Sequence, residues 1–159
     1  MNKVLIVNLL KKREGVEKNI KTIASKVLKI LKKDEVYLEI YLISSQKMYF
    51  LNKKYRCKNK PANILSFKEP EKFFYPGYQK RIGEIFLNIS AISDKEKLTL
   101  FLIHGILHLF GYEHKTKSDR IRMEKKEAAI LKLLKQPSSL KYVHHGFRFR
   151  DFTNKIVGC

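Results

Sequence analysis

Acidic residues are scarce in this chain of 159 residues: 15 Asp and Glu stand against 34 Lys and Arg, a formal net charge of +19. Nucleic acid is the commonest partner for such a field, with an anionic membrane surface next. Cysteine is scarcer still, at positions 57 and 159 only. Two thiols cannot build the disulfide framework of a small secreted domain, so a reducing, cytoplasmic setting is the simpler expectation. Long apolar runs are missing, and nothing approaches the roughly 18 residues that a spanning helix requires. The opening MNKVLIVNLLKKREG places its basic residues after its short apolar run, the reverse of a signal peptide, and reads as a first strand. The chain is nevertheless 44% hydrophobic and 11% aromatic, which excludes a disordered basic tail. Its length suits one domain that buries roughly 70% of the surface of the unfolded chain.

The charge is uneven. Residues 44–82 hold ten Lys and Arg against only Glu69 and Glu71. Along the chain, Val4–Val7 reads as a short strand, and 16–33 as an amphipathic helix with Ile20, Ile23, Ala24 and Val27 at helical spacing. The β-branched and aromatic run 36–43 reads as a central strand. Ser44 caps a helix through about Tyr55, with Met48 and Leu51 facing inward. Strands are expected at 63–67 and 84–87, separated by an exposed loop that carries Pro70 and Pro76-Gly77. Ser93 with Glu96 forms a capping box before an apolar helix that ends at Gly111. A last helix over 117–135 has Ile121, Met123, Ile130, Leu131 and Leu134 as apolar members, and Pro137 closes it. Together these predict an α+β fold: a single mixed β-sheet packed with α-helices, residues 1–136 forming one domain and 137–159 a basic tail.

Chemistry concentrates in HGILHLFGYEH, residues 104–114. His104 and His108 lie one helical turn apart, so both imidazoles leave the same face. Gly111 permits a left-handed turn that can return His114 as a third ligand. Three imidazoles leave a tetrahedral zinc an open position, the catalytic rather than the structural arrangement, and bound water then has a pKa near 7. The spacing is similar to that of the metzincin zinc peptidases, so the metal helix is zincin-like. Their general-base glutamate follows the first histidine, however, and here Gly105 stands there. A peptidase therefore lacks its proton acceptor and ranks last.

HGILHLFGYEH resembles the signature of the YbeY family, bacterial ribosomal-RNA maturation factors and single-strand-specific metallo-endoribonucleases. Glu113 stands where that signature has Asp. LNKKYRCKNKPANILSF, residues 51–67, is similar to a second family motif, Gly83-Glu84-Ile85 to a G-D-I strand start, and Met123 with Glu127 to an M-x-x-x-E pattern in the last helix. The likeness is collinear over roughly residues 45–131.

That resemblance implies metal ligation by His104, His108 and His114, with one zinc ion as cofactor, and a catalytic Arg56 lining the cleft. A guanidinium suits a phosphate through paired hydrogen bonds; without the resemblance, Arg56 reads as a basic residue ending its helix. The resemblance also implies single-stranded RNA and precursor rRNA as substrates, with processing of the 16S rRNA 3′ end and ribosome quality control as the role. The small ribosomal subunit and its assembly factors are the implied partners, with no membrane involved. The alternative is a non-catalytic RNA-binding assembly factor with a structural metal. Cys57 replaces a family glycine and offers a conceivable further ligand; Glu113 offers a supporting group near His114. The tail contains FRFRDF, which reads as a strand or an aromatic-basic RNA contact, and His144-His145, which read as solvated.

Overall fold

A computed structural model describes residues 1–10, 15–70 and 79–135 of the chain. The element order is β1 (Lys3–Asn8), α1 (Val16–Ile30), β2 (Val36–Ile43), α2 (Ser45–Arg56), β3 (Ile64–Lys68), β4 (Lys80–Asn88), a 3₁₀ turn at Ile89–Ala91, α3 (Lys95–Leu109) and α4 (Lys117–Lys135). The fold is α+β, as the pattern of strands and helices implied. The tail 137–159 and most of the loop between β3 and β4 lie outside the described residues.

Local chemistry accounts for the boundaries. The Ser44 hydroxyl accepts from the Lys47 backbone N–H at 3.2 Å, capping α2 as expected. At α3 the cap moves one residue: Asp94 Oδ1 accepts from the Lys97 backbone N–H at 2.8 Å, while Ser93 donates its hydroxyl to Asp94. A carboxylate is the stronger acceptor and adds a favourable charge at a helix N-terminus, so it displaces the neighbouring serine. Strand β4 begins at Lys80, four residues before the apolar run, because Lys80 and Arg81 pair with Val36 and Tyr37 of β2. In α4, Ile121 is 43% exposed, whereas Met123 and Ile130 are buried; one of the helix's apolar members therefore faces water.

The sheet has the order β1-β2-β4-β3. β1 pairs parallel to β2 and β2 parallel to β4, while β3 runs antiparallel to β4. β2 is an interior strand, as its apolar composition required. The main core joins Val4, Leu38, Ile40, Leu42, Ile85 and Leu87 of the sheet to α1, α3 and α4. A smaller cluster, Ile43, Met48 and Leu65, seats α2. α3 is apolar around most of its circumference, with nine buried residues, because the sheet and two helices enclose it.

On the other face of the sheet, Tyr41 stacks on Phe86 at 4.9 Å. Beside them the Arg81 guanidinium reaches Glu39 at 2.6 Å and also pairs with Glu69 and Glu84. Burial works to raise the Glu39 carboxyl, but hydrogen bonds from Arg81, Tyr37 and Tyr41 outweigh it and hold it below the ordinary carboxylate range. A depressed folded-state pKa contributes stability that is present above the unfolded value, about 4.3, and is lost as pH falls through the folded value. Urea midpoints are therefore expected to drop below about pH 4.3, with a shallower drop in Glu39→Gln. Parallel acid limbs in the two proteins would refute the assignment.

A candidate metal centre in a basic cleft

The end of α3 builds the centre. Phe110 closes the helix, the Gly111 N–H donates to the His108 carbonyl at 3.0 Å, and the Tyr112 N–H donates to the Leu107 carbonyl at 3.1 Å. This pair of bonds is a Schellman motif, and Gly111 supplies its left-handed residue with φ at 83°. The chain reverses there and returns His114 to the helix. The three rings then lie with centroids 4.5 Å (His104 to His108), 4.9 Å (His108 to His114) and 5.5 Å (His104 to His114) apart. One ligand nitrogen from each falls within 4.8 Å of the others, a group able to hold a metal ion. The spacing read from the sequence thus brings all three histidines together.

Their electrostatics suit ligation. Burial first, then the neighbouring His104 and His114, push His108 down to about 3. Burial first, then His104, also lower His114, and the charge of Arg56 acts on both rings in the same direction. A metal needs the neutral ring with a free lone pair, and this environment supplies it at neutral pH. Three imidazoles form a donor set for zinc and the later first-row metals.

Arg56 ends α2 and shares an open cleft with His104 and His114, together with Lys58, Lys60 and Asn63. Burial lowers the Arg56 pKa, yet a guanidinium remains charged. The loop after it is pinned by two buried asparagines. Asn52 Nδ2 donates to the Lys60 carbonyl at 2.6 Å, and Asn88 Nδ2 to the Ala62 carbonyl at 3.3 Å. Cys57 takes up φ at 52°, so the backbone keeps the left-handed conformation that suits a glycine there. It is not among the metal-competent group of the described residues. Glu113 pairs with Lys115 at 3.2 Å on the surface. His144 and His145 lie outside the described residues.

Gly105, which stands where the peptidases have their glutamate, lies against the sheet. A Cβ on Gly105 would lie 2.6 Å from Ile64 Cδ1, 2.9 Å from Ser66 Oγ and 3.2 Å from Ile85 Cδ1. α3 packs closely on β3 and β4 here, so a side chain after His104 would have to push the Ile64 and Ser66 side chains aside, and it would start out toward the sheet.

One participant carried no role in the sequence reading. Glu127 of α4 is 2% exposed, and its Oε1 lies 2.7 Å from His104 Nδ1. Two signals were available: its place with Met123 in the M-x-x-x-E pattern, and a carboxylate in an apolar register of the last helix, between Met123 and Ile130.

A metal-competent trio of histidines at the end of a buried helix, facing a cationic rim, defines an α+β protein built around a candidate metal centre. The family model for Endoribonuclease YbeY matches residues 6–135. The Endoribonuclease YbeY of Pelagibacter ubique is 35% identical over 130 residues, covering 72% of this chain and 84% of that protein. Those of Aquifex aeolicus and a Sulfurihydrogenibium species are 34% and 30% identical, covering 71% and 74% of this chain and 78% and 82% of their own lengths. The chain belongs to the YbeY family.

Proposed function

We propose that this chain is a metal-dependent endoribonuclease that cleaves single-stranded RNA, using one zinc ion held by His104, His108 and His114 and a catalytic Arg56. The observation that carries the reading is the shared cleft, in which the guanidinium and two of the three histidines face the same open space. A zinc ion held by the three histidines would supply Lewis-acid polarisation of a phosphodiester. Arg56 holds the phosphate and offsets the charge that develops on its oxygens during transfer. Lys58 and Lys60 bring further positive charge to the rim, where an RNA strand enters. Precursor rRNA is the substrate we assign, with maturation of the 16S rRNA 3′ end and ribosome quality control as the role. The cytoplasm is the setting, and the small ribosomal subunit and its assembly factors are the partners. Residues 1–136 form the catalytic unit and 137–159 a basic extension. Among the described residues no helix is long and apolar enough to cross a membrane.

The competing reading is an RNA-binding assembly factor whose metal only holds the fold. Chelation separates the two. Removing metal is expected to abolish cleavage of a labelled single strand while RNA binding and most of the thermal stability persist. Unfolding on chelation, with no cleavage by the reloaded protein, would favour the structural metal. Arg56→Ala should retain full metal content and lose about 10²- to 10³-fold in cleavage, the scale expected when one charge-stabilising donor is removed. Unchanged cleavage would remove Arg56 from the mechanism.

A further inference from the structure

Glu127 is the only buried carboxylate among the described residues of a chain with net charge +19. It occupies a position where the helix pattern calls for an apolar side chain, four residues after Met123 and three before Ile130, both buried in the main core. Burying a carboxylate is costly unless a partner compensates for the loss of water. Here the partner is His104, whose Nδ1 lies 2.7 Å from Glu127 Oε1. A carboxylate only accepts, so Nδ1 carries the proton and donates it. The opposite nitrogen, His104 Nε2, is then the lone-pair nitrogen, and it lies 3.0 Å from His108 Nε2.

We propose that Glu127 is the positioning residue of the metal centre: it fixes the tautomer and ring orientation of His104 so that Nε2 is presented to the ion. The inference rests on reading the three histidines as a metal site. A carboxylate behind a ligating imidazole also makes the ring a better donor, and loss of such a partner typically weakens metal affinity about 10- to 100-fold. The same contact ties α4 to α3, so a single deletion cannot by itself separate positioning from packing.

The test uses the full chain with Glu127→Gln and Glu127→Met. Glutamine keeps the shape and an accepting oxygen but removes the charge; methionine matches the apolar stripe and removes the acceptor. Zinc affinity, measured by competition with a chromophoric chelator, is expected to fall in the order wild type, Gln, Met, by about 10- to 100-fold in total. The thermal midpoint of metal-free Glu127→Met should be equal to or above that of the wild type, because apolar replacements of buried charges often stabilise. Nitrogen NMR of the metal-free protein, with the rings neutral, should show the Nδ1–H tautomer of His104 in wild type and Gln, and its loss in Met. Stability and zinc affinity moving in opposite directions is an outcome that packing alone does not produce. Equal zinc affinity in all three proteins, or an unchanged tautomer in Glu127→Met, overturns the proposal. Neither readout involves RNA, so failure of the nuclease reading registers separately, as a zinc-loaded wild type that does not cleave.

Discussion

His108→Ala is expected to lose its metal ion and, with it, at least about 10³-fold in RNA cleavage, equivalent to roughly 4 kcal/mol of transition-state stabilisation. His108 is the middle member of the trio, with its ring 4.5 Å from that of His104 and 4.9 Å from that of His114. Removing it leaves two ligands, too few to hold zinc firmly in the arrangement such catalytic sites use. The fold should survive. The substitution removes a desolvated ring near the end of α3, and alanine is the best helix former at that position. Circular dichroism should therefore match the wild type, and RNA binding should persist, because Arg56, Lys58 and Lys60 remain. Metal content by mass spectrometry beside a cleavage assay checks it. Full metal occupancy in the variant would show that the three rings do not form one site.

Gly83→Ala is expected to destabilise the protein by at least about 3 kcal/mol, a fall of roughly 10 °C in thermal midpoint for a domain of this size. Gly83 has φ at 140°, a conformation that side chains rarely adopt. It lies in β4 where the register with β2 shifts, opposite Lys68 of β3. An added Cβ would come to 2.2 Å from the Phe67 carbonyl oxygen and 2.9 Å from Leu109 Cδ2. The first contact is with backbone and cannot be relieved by turning a side chain. The second is with the last residue of α3, one position after His108, so the strain should also weaken metal binding. Urea midpoints and zinc competition measure both effects. A loss below about 1 kcal/mol would mean that β3 and β4 do not approach at this register.

The contrast between these two positions explains how much of the molecule was legible in the sequence. The histidines could be read because helical spacing alone, with a glycine at the turn, brings two rings and then a third to one place. The same holds for α1, β2 and α2, where apolar periodicity and the Ser44 cap are local. Arg56 could be paired with the histidines only through the family resemblance, since nothing local joins the end of α2 to the end of α3. Gly105 showed that a peptidase base was missing but not that the position lies against the sheet. The start of β4 stayed hidden because Lys80 and Arg81 carry no apolar alternation; the Arg81 head is satisfied by carboxylates from three separate segments. Glu127 is the sharpest case. An acid in a core register marks an exception, but its partner lies 23 residues away on another helix. Sequence periodicity carries no information on that meeting.

The account depends on the three histidines and Arg56 acting in one metal-dependent cleft. The most direct test titrates zinc into metal-free protein and follows cleavage of a labelled single-stranded RNA at fixed salt, with bound zinc measured on the same samples. Cleavage rising with occupancy and saturating at one ion per chain is the predicted result. A rate that does not respond to zinc occupancy would contradict it.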